Sequence, residues 1–193
     1  MTRGRAAAAA AFAGVTFFLG WLLFFALPRW YGEPAATQVA PAAPSAAPAP
    51  SAGRRIKARL FFVSDDGTRL KAVERDVAYG EGALEQARQI VEAQIAPAAD
   101  PLVCAVPKGT KLRALFITER GEAYVDLSRD VAAAHSGGTL DELLTTYTIV
   151  NALTANLPAV TAVQILVEGK EVDTLAGHVD IRRPLASNSS WIE

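Results

Sequence analysis

The sequence predicts an α+β domain, two helices packed on one face of a mostly antiparallel sheet in the order β-β-α-β-β-α-β-β. Three observations carry this. Apolar residues alternate with polar ones at period two in short segments after Arg54. Two longer segments carry apolar residues at helical spacing instead. Gly-containing turns separate the paired segments, which marks hairpins.

The first strand is "IKARLFFV", with Ile56, Ala58, Leu60 and Phe62 on one face and Lys57 and Arg59 on the other. "SDDGT" turns the chain, and "RLKAVERDV" (Arg69 to Val77) returns antiparallel. Asp65 and Asp66 lack the alternating oxygen ligands of a calcium loop and belong to this turn. "EGALEQARQIVEAQIA" places Leu84, Ala87, Val91 and Ile95 at helical spacing, and Pro97 stops the helix. "AVPKGTKL" has the lysine but not the several glycines of a phosphate loop, and a strand follows it, so Pro107 and Gly109 shape a turn. "KLRALFITERGEAYVDLS" is a second hairpin turning at Arg120-Gly121; Ala123, Val125 and Leu127 share one face, Tyr124, Asp126 and Ser128 the other. Thr139 and Glu142 fit a capping box, and Leu140, Leu143, Leu144, Tyr147, Val150 and Thr154 continue a helical face. "VTAVQILVEGK" is a strand with Val163, Ile165 and Val167 inward, and "GHVDIRRPL" is a short last one.

Ahead of this domain, Ala6 to Leu27 carries no charge. As a helix it would reach about 33 Å, against a hydrocarbon core of about 30 Å. Arg3 and Arg5 precede it, which keeps residues 1–5 in the cytoplasm by the positive-inside rule. Trp21, Trp30 and Tyr31 suit a membrane interface. A cleaved signal peptide is the competing reading, but the run exceeds a typical h-region. The lone cysteine, Cys104, is far from this run, so no lipobox is present. Residues 28–53 are rich in Pro and Ala and have little to bury, which makes them an extended tether. The expected organisation is a cytoplasmic N-terminus (1–5), a transmembrane anchor (6–27), the tether (28–53), the domain (54–185) and a tail (186–193). The domain then stands outside the cytoplasmic membrane.

A net charge of -1 and no basic stripe argue against nucleic-acid binding. A single cysteine makes neither an internal disulfide nor a Cys-rich zinc site, and its flanks "PLVCAV" suggest burial. Two histidines without clustered carboxylates make a poor metal site. Ser136, His178 and Asp180 assemble a hydrolytic triad only on paper, since no nucleophile elbow accompanies them. Asp126, Ser128 and Asp130 in "VDLSRD" are a carboxylate pair for metal or acid-base work, or else Asp126 points to solvent while Ser128 or Asp130 caps the next turn. Tyr124 is a binding aromatic or packs under a helix, and Trp191 in the tail is a second aromatic candidate. The expected surface is Tyr124, Asp126, Asp130 and Trp191, with no catalytic residue, metal or cofactor.

In order and spacing, "ARLFFVSDDGTRLKAVER", "AVPKGTKL", "GEAYVDLSRD", "LPAVTAVQILVEGK" and "GHVDIRRPL" resemble the GerMN domain of sporulation and spore germination proteins. The resemblance spans Ile56 to Leu185. It implies an extracytoplasmic domain on a lipid or membrane anchor, with a fold like the ring-building motifs of membrane-spanning assemblies, and it brings no catalytic residues. A single domain rather than a tandem pair, and an apolar helix rather than a lipidated cysteine, depart from the family's pattern. The architecture transfers and the process of sporulation does not. The expected function is a non-catalytic interaction or assembly module in the cell envelope, its partner another envelope protein or a second copy. The alternative is a module that binds a small ligand or cell-wall (peptidoglycan) fragments. An envelope hydrolase acting through Asp126 or His178 is the third reading.

Overall fold

The computed structural model describes Trp21 and residues 53–193. The chain divides into Met1–Ala49 and Pro50–Glu193. The expected anchor, apart from Trp21, and the tether up to Ala52 lie outside the described residues. Among the described residues no helix is long and apolar enough to cross a membrane.

Alternation delivers the first hairpin as expected. β1 (Arg55–Val63) and β2 (Leu70–Ala78) pair antiparallel without a slip. Ala58, Leu60 and Phe62 are buried, but so is Phe61, so the strand is covered on both faces at its C-terminal half. The turn is held by Asp66, whose carboxylate accepts from the Ser64 hydroxyl and from the Thr68 amide and hydroxyl. Those donors, the Ser64 hydroxyl foremost, hold its carboxyl down to about 2.

α1 (Gly82–Ile95) buries Gln86, Ala87, Ile90, Val91 and Gln94. The expected stripe is rotated: Leu84 is 46% exposed, and two glutamines occupy buried positions. β3 (Leu112–Ile117) and β4 (Glu122–Leu127) form the second hairpin, with a bulge between Leu112 and Ala114. Gly121 makes its turn at φ +83°, and a Cβ there would stand 2.6 Å from the Ala159 carbonyl oxygen, so no other residue fits without movement. Upstream, Thr110 N–H donates to Pro107 C=O at 3.3 Å and Gly109 takes φ +90°, the turn that "PKGT" predicts.

A single-turn helix, α2 (Asp130–Ala133), leads to α3 (Thr139–Asn156). Gly138, not Thr139, stands at the N-cap of α3, so the expected capping box does not form and Glu142 is free for another use. α3 is buried on most of its circumference, from Leu144 through Leu153, while Leu140 is at the surface. It contacts β1 on one side and β5 (Ala162–Val167) on another, which is why a single stripe does not describe it. The segment "GHVDIRRPL", expected as a strand, is largely irregular. Of that segment only Leu185, at the start of β7 (Leu185–Ala186), pairs with β5, and β6 (Lys170–Glu171), ahead of the segment, pairs with β5 as well. Gly177 at φ +95° and Pro184 interrupt the extended run.

The α+β class and the helix-on-antiparallel-strand packing are as the sequence predicts. The strands divide into a two-stranded sheet (β1-β2) and a five-stranded one ordered β3-β4-β5-β6, with β7 also on β5. β4 and β5 are parallel, the expected consequence of the helical crossover between them. One apolar core, drawn from both sheets and both long helices, joins them.

Candidate interaction surface

β4 carries two of the residues expected at the surface, Tyr124 and Asp126, and leads directly into a third, Asp130. Ala123, Val125 and Leu127 are fully buried toward the helices. Tyr124 therefore faces away from them, half-buried, which removes the reading in which it packs under a helix. Its cross-strand partner is Phe116, 60% exposed, and its partner on the other side is Gln164. Phe116 and Tyr124 thus make an aromatic pair on the outer face of the sheet, and Phe116 is a surface feature that sequence reasoning passed over. Its place in an alternating strand beside inward Leu115 was the available signal.

Asp126 does not point to solvent. It is buried, accepts the Gly169 N–H at 2.7 Å and takes Arg113 Nη1 at 3.1 Å, so it ties the β5-β6 turn and the β3 bulge to β4. Glu168 of that turn, at φ +54°, accepts the Arg129 N–H at 2.9 Å. Asp130 is exposed and accepts the Ser128 hydroxyl at 2.9 Å, while that same hydroxyl accepts the Lys111 N–H at 3.0 Å. Asp130 thus closes the turn after β4, the structural role weighed for it. Trp191 lies half-buried in a 3-10 turn, Ser189–Trp191, of a tail that returns to β2: Ile192 bridges Leu70 and Glu193 N–H donates to Leu70 C=O at 3.0 Å. The four expected surface residues therefore do not form one site. Tyr124 and Asp126 share a strand, Asp130 sits in the following turn, and Trp191 lies in the tail that returns to β2 of the other sheet.

The paper triad is taken apart by its contacts. Ser136 donates to Asp141, Asp180 binds Arg182, and His178 lies on Glu142. Glu142 is fully buried and accepts from the backbone N–H groups of Leu175 at 2.7 Å and His178 at 2.8 Å. Burial opposes its charge, yet the amides of Ala176, His178, Leu175 and Val179 together outweigh burial and hold the carboxyl below its ordinary value. His135 accepts the Gly137 N–H at Nδ1, which leaves Nε2 to donate to the Thr145 hydroxyl, itself donating to Ala105 C=O. Cys104 is half-buried with its thiol on Gln94 C=O at 3.3 Å, and burial pushes that thiol up, away from the thiolate. Ser136, His178, Asp180, His135 and Cys104 each make a contact within the domain.

Beside the "PKGTK" turn, a cleft of about 480 Å³ runs under residues 95–104. Ile95, Leu102, Val103 and Val106 line it, and Lys108 and Lys111 stand at its rim without an acidic partner among the described residues. A second cleft of about 270 Å³ lies between Phe61, Asn151 and the tail.

A family model described as sporulation and spore germination matches residues 59–173. Among solved structures, a candidate lipoprotein from Clostridium perfringens is 24% identical with a TM-score of 0.51, covering 70% of this chain and 89% of its own. The first GerMN domain of the sporulation protein GerM from Bacillus subtilis is 17% identical with a TM-score of 0.52, over 68% of this chain and 97% of that one. The tandem GerMN domains of the same protein give 15% identity and a TM-score of 0.54 over 71% of this chain, which spans 48% of the tandem. No curated protein matches.

Proposed function

Because the chain belongs to the sporulation and spore germination family and carries a GerMN-type domain, we propose that it is a non-catalytic interaction or assembly module of the cell envelope. In this reading the apolar run at residues 6–27 anchors it in the cytoplasmic membrane, residues 28–53 space it, and the domain faces outward. One observation carries the proposal: Phe116 and Tyr124 form an aromatic pair on a sheet face that no helix among the described residues covers, and aromatic side chains are enriched at interaction surfaces. The engagement of His178, Glu142, Asp126 and Cys104 in structural contacts supports the absence of catalysis.

In-cell crosslinking of the full tagged chain tests this. The expected result is a discrete envelope protein, lost with Phe116→Lys and kept with Lys57→Glu on the other sheet. Recovery independent of Phe116 would overturn the assignment of the surface. A second reading, binding of a small ligand or a wall fragment, is favoured by the cleft beside Lys108 and Lys111, whose volume is within the range of ligand pockets. A panel of peptidoglycan fragments that leaves the melting temperature unmoved would remove it.

A further inference from the structure

The cleft beside the Lys108–Lys111 turn has fixed walls. Residues 96–106, which close one side of it, belong to no helix or strand, yet four bonds hold them. Leu102 N–H donates to Ala99 C=O at 3.0 Å, Val63 N–H to Val103 C=O at 2.8 Å, the Cys104 thiol to Gln94 C=O at 3.3 Å and the Thr145 hydroxyl to Ala105 C=O at 2.7 Å. Val63, Gln94 and Thr145 stand on β1, α1 and α3, so this irregular wall is tied to three regular elements. The other side is set by the turn itself, whose Lys111 N–H donates to the Ser128 hydroxyl. A concavity held in this way is formed before anything enters it, as small-molecule sites are.

Its lining divides into an apolar surface and a charged rim. Ile95, Leu102, Val103 and Val106 supply the apolar part; Val103 is 59% exposed, Ile95 and Leu102 are half-buried, and all of them border one concavity. Lys108 and Lys111 are exposed and belong to no ion pair of the described residues. Asp100 is the one acidic residue among those lining the cleft. Asp130 stands beside Gly109, but its carboxylate accepts the Ser128 hydroxyl and it pairs with neither lysine. The rim therefore carries two positive charges against one negative, and favours an anionic group over a cationic one.

We propose that this cleft binds a single-chain amphiphile with a phosphate head. The chain lies against Ile95, Leu102, Val103 and Val106, where it removes apolar surface from water on both sides of the contact. The head is taken by Lys108 and Lys111. A phosphate monoester carries a charge of about −1.5 to −2 at neutral pH, which two lysines answer better than one. An ammonium is a compact point charge with no preferred plane, suited to a phosphate, whereas the two oxygens of a carboxylate match the fork of an arginine, and none lines this cleft. The volume of about 480 Å³ lies within the range of sites that enclose small molecules. The inference rests on the ligand-binding reading of this cleft and names the class of its ligand.

Photolabelling of the full chain in phosphatidylcholine vesicles tests this, with decyl phosphate carrying a diazirine at the end of its chain as the probe. Within residues 53–193 the label is expected on the segment 95–111, displaced by unlabelled decyl phosphate and not by inorganic phosphate or decyltrimethylammonium. Joint Lys108→Glu and Lys111→Glu should cut it about tenfold or more. Val103→Asp should cut it as well, and Lys57→Glu on β1 should leave it unchanged. Label spread over the domain, label indifferent to the charge reversal, or displacement by inorganic phosphate as effective as by decyl phosphate would overturn the proposal. Phosphatidic acid mixed into the vesicles separates the sources: displacement by it identifies a membrane lipid, displacement by decyl phosphate alone a soluble amphiphile, and either upholds the site. Absence of label together with a melting temperature raised by a peptidoglycan fragment would remove this ligand and keep the ligand-binding reading; absence of both removes both.

Discussion

Glu142 shows how one side chain organises a stretch of chain that has little regular structure. Its carboxylate gathers backbone amides from residues 175–179, far from it in sequence, and substitutes for the ladder that the segment lacks. Glu142→Gln replaces an oxygen that accepts with an amino group that donates, facing amides that also donate. We expect a loss of about 1–3 kcal/mol at neutral pH, read by urea denaturation. The sign with pH follows from the lowered folded value. The stabilisation is complete above the unfolded glutamate value, 4.5, and is lost as pH falls through the lower folded one. Stability of the parent chain should therefore drop more steeply below about pH 4.5 than that of Glu142→Gln. Equal slopes in the two proteins would show that another carboxylate carries the acid sensitivity. Asp66, Asp76 and Asp180 are also held low, but they are exposed and unchanged by the substitution.

Elements are joined by amides more than by charges. Gln94 of α1 pairs with both backbone groups of Phe61, Asn156 of α3 with those of Arg59, and Asn151 of α3 with those of Asn188 in the tail. Each amide acts as one residue of an additional strand, so the helices close the edge of β1 while packing on it. The two β1 contacts differ in their access to water, since the Phe61 pair is buried and the Arg59 pair exposed. Gln94→Leu leaves the buried N–H and C=O of Phe61 unpaired and is expected to destabilise by about 1–3 kcal/mol per group. Asn156→Ala, where water substitutes, should cost about 1 kcal/mol or less. Chemical denaturation of the two variants checks the order, and a larger loss at Asn156 would contradict the burial argument.

On the scale of the whole domain, two sheets that share no strand pairing are made one unit by a core between them and by the C-terminal segment. β7 adds to the five-stranded sheet, while the residues after it bond to β2 of the two-stranded sheet and to Asn151 of α3. Deleting residues 187–193 orphans the fully buried Asn151 amide and frees Leu70 C=O. We expect a single cooperative thermal transition in the full domain, and a lower one after the deletion, by about 1–3 kcal/mol of stability. An unchanged midpoint would mean that the tail only lies on the surface.

Much of the fold was legible because apolar periodicity reports which backbone face is buried. The β1-β2 hairpin, the turn at Gly121, and the inward Ala123, Val125, Leu127, Val163, Ile165 and Val167 all follow from local chemistry. The buried amides and Glu142 were not legible, since a polar residue in a pattern reads as a surface one unless its partner is known, and these partners are backbone groups 33 or more residues away. For the same reason Asp126 reads as exposed and Tyr124 as ambiguous. The sequence alone determined the element order, the helix-on-strand class and the absence of a strong catalytic motif, all properties of short windows. Only the tertiary structure decided that the strands split into two sheets, that Asp126 accepts from Gly169 and Arg113, and that His178 lies on the buried Glu142, because sheet partners and side-chain partners are set by chain segments distant in sequence.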